Sequence, residues 1–345
     1  LRKKLKIALI ADPELPVPPL LYGGIERIID MLIEEYVNLG HDVSLFAHSD
    51  SKTKAQLFAY SGKTSHRKTD IIKNTLLINK ELYKNEYDVV HSFGRLLYLL
   101  PQLPRSIPKI MSYQREPTIS QIKKASKIAK KNTLAFTGCS AYISNQIAPY
   151  APAFPIFNGV DLSIYNFKEV VPTDAPLVFL GRIEPIKGTH IAIEVAKRTR
   201  KPLVIAGNIP SEYQSYFDTQ IQSELNDQIT YIGPVNDVQK NDLLGNASAF
   251  LMPIEWDEPF GIVMAEAMAC GTPVIGFNRG SVPEVVVSGY NGYRCDTIEE
   301  MIHHVHNIDK IERKNVRTDA ELRFSSKVIV DQYLALYQKM IDGNE

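Results

Sequence analysis

Apolar residues follow two alternating rhythms along this chain. The near-continuous apolar run at residues 5–11 (LKIALIA) reads as a strand buried on both faces. Ile25, Ile28, Ile29, Leu32, Ile33, Tyr36 and Val37 then recur at three-to-four spacing, and Gly40 stands where a helix end favours a residue tolerant of positive φ. Further runs at 43–47, 88–93, 109–113, 134–137 and 154–157 predict strands, with a helical stretch at 119–131 between two of them. After a linker-like segment ending at 171–176 (VPTDAP) the pattern restarts. Strands are predicted at 177–180, 202–206, 229–232, 249–252 and 274–277, with a helix at 189–198. The tail, 325–340, carries Val328, Ile329, Tyr333, Leu336, Tyr337 and Met340 on one helical stripe. Such alternation predicts two doubly wound parallel sheets facing across a cleft, with ligands held in loops beyond the carboxyl ends of the strands.

Composition narrows the classes. The 345 residues are 44% hydrophobic and 23% charged, which fits an ordinary globular chain of two domains. No uninterrupted apolar run approaches the roughly 18–20 residues of a membrane span, so transmembrane, collagen-like and disordered classes are excluded. Cys139, Cys270 and Cys295 are dispersed and odd in number, matching neither a disulfide framework nor a zinc site, and a reducing compartment is expected. The basic start, Leu1 to Lys6, runs into too short an apolar stretch for a signal peptide, so the expected location is cytoplasmic. Lys plus Arg balance Asp plus Glu at 39 each, yet a cut after residue 160 leaves 22 basic against 13 acidic residues before it and 17 against 26 after it. That asymmetry points to partners, and the basic first half is expected to meet an anionic acceptor or the inner face of a membrane peripherally. Lys123, Lys124, Lys127, Lys130 and Lys131 surround an apolar stripe of Ile122, Ala125, Ile128 and Ala129, which reads as a surface helix packed on its own sheet. His303, His304 and His306 read as a solvated helix face, without a matched carboxylate to complete a metal site.

The most specific stretch is residues 255–275 (EWDEPFGIVMAEAMACGTPVI). It follows a strand, turns through Pro259-Phe260-Gly261, opens a helix and feeds the next strand. A glycine-opened helix start presents backbone N–H groups and the positive end of the helix dipole, which suits phosphate or sugar oxygens. Glu258 lies at the entrance and Glu266 about two turns on, and carboxylates accept paired hydrogen bonds from vicinal hydroxyls.

This E-x7-E arrangement, EPFGIVMAE, resembles the donor-site motif of family 4 glycosyltransferases, retaining enzymes of the GT-B fold. Residues 181–188 (GRIEPIKG), 158–161 (NGVD), 22–27 (YGGIER), 88–91 (DVVH) and 271–274 (GTPV) resemble further family segments in the family's order, so the resemblance covers nearly the whole chain. It implies an acceptor-side domain at 1–160, with helix 325–345 packing back on it, and a nucleotide-sugar domain at 161–324. It also implies transfer of a sugar from a nucleotide-sugar, with UDP-glucose or a close relative as the prior, to an acceptor hydroxyl in polysaccharide or glycoconjugate synthesis. Arg182 and Lys187 match the diphosphate-binding pair; Arg holds oxygens bidentately and Lys acts as a point charge. Glu266 is carried over as the ribose ligand, Glu258 as the donor-sugar ligand, the backbone of Phe260, Gly261 and Ile262 as contacts to sugar and phosphate, and Val235 as the base contact. Gly23 and Gly24 let the N-terminal loop approach the diphosphate. His91 is expected to touch donor or acceptor sugar, although Phe93 replaces the family's second histidine. Gln114 and Arg115 take the acceptor-side place of a common Thr-x-His. No Asp-x-Asp occurs, and neither metal nor cofactor is expected; the acceptor is a glycan, glycolipid or small molecule, and nucleic acid is no partner. A sugar-nucleotide epimerase and a non-catalytic nucleotide-sugar binder are the alternatives.

Overall fold

The computed structural model describes residues 3–20 and 23–343; Tyr22 of the glycine loop and the first two residues of the basic start lie outside them. The chain divides into two compact units, residues 1–159 with 326–345, and residues 160–325.

The first unit is built on seven parallel strands: β1 (Lys6–Ile10), β2 (Asp42–Ala47), β3 (Gln56–Ala59), β4 (Val89–Ser92), β5 (Lys109–Tyr113), β6 (Leu134–Gly138) and β7 (Ala153–Pro155). Their order is β3-β2-β1-β4-β5-β6-β7, so the winding reverses between β1 and β4. Ile7, Ala8, Leu9 and Ile10 are fully buried, as a central strand covered on both faces requires. The second unit has six parallel strands: β8 (Leu177–Leu180), β9 (Leu203–Ala206), β10 (Ile229–Tyr231), β11 (Ala249–Met252), β12 (Val274–Phe277) and β13 (Gly292–Cys295). Their order, β10-β9-β8-β11-β12-β13, places its reversal between β8 and β11. Both sheets are therefore doubly wound, each with a topological switch point where loops splay apart to receive a ligand.

Two strands and one long helix are among the elements that escaped the pattern. β3 (QLFA) is an edge strand only partly covered, and β13 (GYRC) exposes its arginine, so neither forms an apolar run. The helix Lys68–Lys84 buries Asn74, Ile78, Asn79 and Leu82, and the two asparagines break its apolar rhythm. The lysine-rich helix is shorter than expected, Ile119–Ile128. Ile122 and Ala125 are buried there, but Ile128, the last helical residue, is 54% exposed.

The final helix, Ser326–Asp342, belongs to the first unit. Its Tyr333 and Tyr337 are buried, and Tyr36 of the helix Gly24–Asn38 donates to the Tyr337 hydroxyl at 3.0 Å. Ser326 adds a hydrogen bond to Glu35 at 2.6 Å. Among the described residues no helix is long and apolar enough to cross a membrane.

Candidate functional site

At the switch point of the second unit, the loop after β8 and the loop after β11 are stitched together. Gly188 holds φ at +75°, and a Cβ there would stand 1.9 Å from the Pro253 carbonyl oxygen. Just beyond, Glu255 N–H donates to the Ile186 carbonyl at 2.8 Å. This close approach lets Lys187 Nζ reach Glu258 Oε2 at 2.5 Å, while Trp256 Nε1 donates to the same oxygen at 2.9 Å. The ammonium also lies 4.6 Å from the centroid of the Trp256 ring, where the quadrupole attracts it. Both charged side chains are largely covered, at 17% and 13% exposure, so the pair is screened less than a surface one. Gly188→Ala is expected to destabilise the second unit by at least about 1–3 kcal/mol, from forced φ and backbone overlap together, read as an earlier denaturant midpoint.

The same loop delivers a helix start. Gly261 adopts φ +68°, and a Cβ would press 2.5 Å from Met252 Cε. Phe260 is buried edge-to-face against Phe324, with ring centroids 5.9 Å apart. A second loop braces the turn: Ser281 Oγ donates to the Phe260 carbonyl and Ser281 N–H to the Glu258 carbonyl, each at 2.9 Å. The helix Ile262–Ala269 thus begins from a fixed turn, with its positive dipole end following Trp256 and Glu258 closely along the chain.

Glu266 lies inside this helix and is only 3% exposed. Its Oε1 accepts from Tyr165 Oη at 2.6 Å and from Lys240 Nζ at 2.5 Å, and Lys240 also meets Asp237 at 3.3 Å. Arg182 pairs with the buried Glu184 at 2.9 Å. Val235 is half-buried, just before a capping box in which Asn236 and Gln239 exchange side-chain and backbone hydrogen bonds at 3.0 Å. The structure brings Lys187 and Glu258 into one contact and gives Arg182 and Glu266 separate anionic and cationic partners. Tyr165, Glu184, Trp256, Lys240 and Ser281 were missed by sequence reasoning. Trp256 and Glu184 were legible, since each stands inside a quoted motif; Tyr165, Lys240 and Ser281 lie outside them.

The candidates of the first unit form their own group. A Cβ on Gly23 would sit 2.6 Å from Pro19 Cβ and 2.9 Å from Glu26 Oε2, whereas one on Gly24 would meet nothing within 4 Å. Glu26 is buried, and desolvation raises its carboxyl above the ordinary range. Asp12, at the end of β1, is pushed up to about 6, first by burial and then by neighbouring Glu14. Arg115 is 3.5 Å from Asp12, and Gln114 Nε2 is enclosed without a hydrogen-bond partner.

His91 lies within β4, not past its end, and is fully buried. Nδ1 is 2.6 Å from Tyr337 Oη and Nε2 is 2.6 Å from Ser112 Oγ, which continues to Thr137 Oγ1 at 2.5 Å. Its ring also rests 4.2 Å from that of Phe93, the residue in place of the second histidine. Desolvation lowers the imidazole to about 3, so it is neutral and both nitrogens are committed to internal partners.

Two doubly wound domains in tandem, the second carrying a glycine-opened helix between paired glutamates and cations, define a GT-B glycosyltransferase. Residues 22–163 match the model described as Glycosyltransferase Family 4, and residues 164–326 match Glycosyl transferases group 1. The chain belongs to glycosyltransferase family 4. Spore coat protein SA of Bacillus subtilis is 26% identical, over 97% of this chain and 100% of its own. D-inositol 3-phosphate glycosyltransferase of Mycolicibacterium smegmatis is 30% identical over 49% of this chain and 41% of its own. Among solved structures, a glycosyltransferase from Rickettsia africae superposes with a TM-score of 0.81 at 16% identity, covering 99% of both chains. Anabaena HepE in complex with UDP-glucose gives 0.72 at 18% identity, covering 97% of this chain and 100% of that one. These structural likenesses speak for the fold.

Proposed function

We propose that the protein transfers a sugar, with retention of anomeric configuration and without a metal, from a UDP-sugar of the UDP-glucose type to an acceptor hydroxyl in glycan or glycoconjugate synthesis. The observation that carries this reading is the Lys187–Glu258–Trp256 cluster in the loops that precede the helix Ile262–Ala269. Breaking the anomeric C–O bond leaves the diphosphate with added negative charge and the sugar oxocarbenium-like. Lys187, Arg182 and the helix start at Phe260, Gly261 and Ile262 supply fixed positive charge to that leaving group. When the diphosphate takes Lys187, Glu258 is released to accept hydroxyls of the donor sugar. Glu266, held by Tyr165 and Lys240, presents its carboxylate to the ribose, and the main chain at Val235 faces the base. The acceptor oxygen bonds to the anomeric carbon on the face the diphosphate leaves, and its proton passes to a donor phosphate oxygen.

In the first unit Gly23 and Gly24 give the diphosphate a close backbone approach, while Gln114 and Arg115 serve the acceptor side. His91 positions Ser112 and the final helix and touches no substrate. HepE is a structural neighbour crystallised with UDP-glucose, which supports the choice of nucleotide.

Thermal unfolding with a panel of nucleotide-sugars tests this reading. A ligand at 100 times its Kd is expected to add about 2.7 kcal/mol of stability. UDP-glucose should raise the midpoint, Arg182→Ala should abolish the rise, and chelator should leave transfer unchanged. An inverted product in NMR of the new linkage would overturn retention.

A further inference from the structure

Beyond β4 and β5 the first unit carries a cavity of about 580 Å³, inside the range of about 300–1,000 Å³ typical of small-molecule sites. Its two walls differ in chemistry. One is the 3₁₀ helix Leu96–Gln102, which turns Leu96, Leu97 and Leu100 toward the cavity. Leu97 and Leu100 remain 42% and 38% exposed, an apolar cost that a purely polar acceptor would leave standing. The other wall brings two cations, Arg115 and Lys124, while Arg95 directly precedes Leu96 on the first wall. Arg115 keeps 67% of its side chain exposed and meets Asp12 only at 3.5 Å, and Lys124 is exposed. Glu116, the acid in the lining, accepts from Tyr142 Oη at 2.5 Å, which engages part of its charge.

Gln114, Glu116 and Gln121 also line it and suit sugar hydroxyls, but two part-exposed leucines facing Arg115 and Lys124 add an apolar and a cationic wall that a free sugar does not call for. Cations on one wall suit a phosphate-type anion, since Arg binds its oxygens bidentately and Lys adds a point charge. Leucines on the other suit a hydrocarbon chain, which gains from each CH₂ it removes from water. The lysine-rich helix extends the same chemistry outward, with Ile128 54% exposed beside the exposed Lys127. We propose that this cavity binds an acceptor whose anionic, phosphate-type head is joined to an apolar chain. The head lies at Arg115 and Lys124, and the chain runs along Leu97 and Leu100. The proposal rests on the glycosyltransferase reading only in calling this ligand the acceptor.

Calorimetric titration of the full chain, without donor, tests it. Farnesyl phosphate below its micellar concentration is compared with farnesol and with inorganic phosphate. One saturable site is expected, at least tenfold tighter for farnesyl phosphate than for either part alone. Arg115→Glu with Lys124→Glu, and separately Leu97→Asp with Leu100→Asp, should each weaken it at least tenfold while cooperative thermal unfolding is kept. Equal binding of farnesol, equal binding of inorganic phosphate, or no binding at all would overturn the proposal, as would wild-type affinity in the folded variants. If either variant fails to fold, the three-ligand comparison on the unaltered protein still decides. A missing thermal shift with UDP-glucose would instead strike the donor reading and leave the cavity assignment standing.

Discussion

Lys187→Ala is expected to lower kcat about 10²–10³-fold, the usual effect of removing one preorganised charge from a transition state. The loss should fall on kcat more than on KM, because the charge it answers grows as the diphosphate departs. The substitution also strands Glu258, which is 13% exposed and whose Oε2 would keep only the Trp256 N–H at 2.9 Å. A stability loss of about 1–3 kcal/mol should accompany the kinetic one. The two effects separate in the double variant. Lys187→Ala with Glu258→Gln removes the stranded charge, so the unfolding midpoint should recover while turnover stays low. If turnover in the double variant equalled that of Glu258→Gln alone, Lys187 would be a structural cation and the leaving-group assignment would fall.

The second large effect is expected at His91, and it is one of stability. His91→Gln should cost about 1–3 kcal/mol at pH 7, since Tyr337 and Ser112 each lose a 2.6 Å partner inside the core. Its pH dependence carries a definite sign. Burial holds the folded imidazole at about 3, below the unfolded value of about 6.5, so between these limits the unfolded chain binds the additional proton. The stability from keeping His91 neutral is therefore complete above about pH 6.5 and drains as pH falls, by up to about 1.4 kcal/mol per unit. Asp12 and Asp30, both raised to about 6, work the other way, because there the folded state holds the proton. Comparing wild type with His91→Gln at each pH cancels the carboxylates. The deficit of the variant should shrink steadily from pH 6 to pH 4; a constant deficit would mean that the imidazole is not held neutral by burial.

How much was legible follows from where each signal resides. Strands covered on both faces are apolar without interruption, which is why β8, β11 and β12 are found at the expected residues. β3 and β13 at sheet edges, and a helix that buries asparagines, carry no such pattern. Lys187 and Glu258 were found because each sits in a contiguous loop motif of its own. Their surroundings were not, since Tyr165 reaches Glu266 across 101 positions and Tyr337 reaches His91 across 246. The depth of His91 was likewise not legible. Parallel pairing of His91 with Leu9 and Ile110 puts it inside the sheet, one residue short of the edge where β4 ends.

The nesting of one unit within the other bears on how the chain comes into being. Residues 160–325 interrupt the first unit, and Val160 N–H donates to the Phe324 carbonyl at 2.7 Å, so the interruption leaves and returns at one point. A host tolerates such an insert cheaply once the insert has folded, because its two ends are already together; as a loose loop each doubling of length would cost only about 0.6 kcal/mol more. During synthesis, however, Tyr333 and Tyr337 emerge only after the inserted unit. The unit that begins first at the ribosome therefore finishes second, and the inserted one can serve as a completed closure that hands the final helix back to a waiting, half-covered sheet.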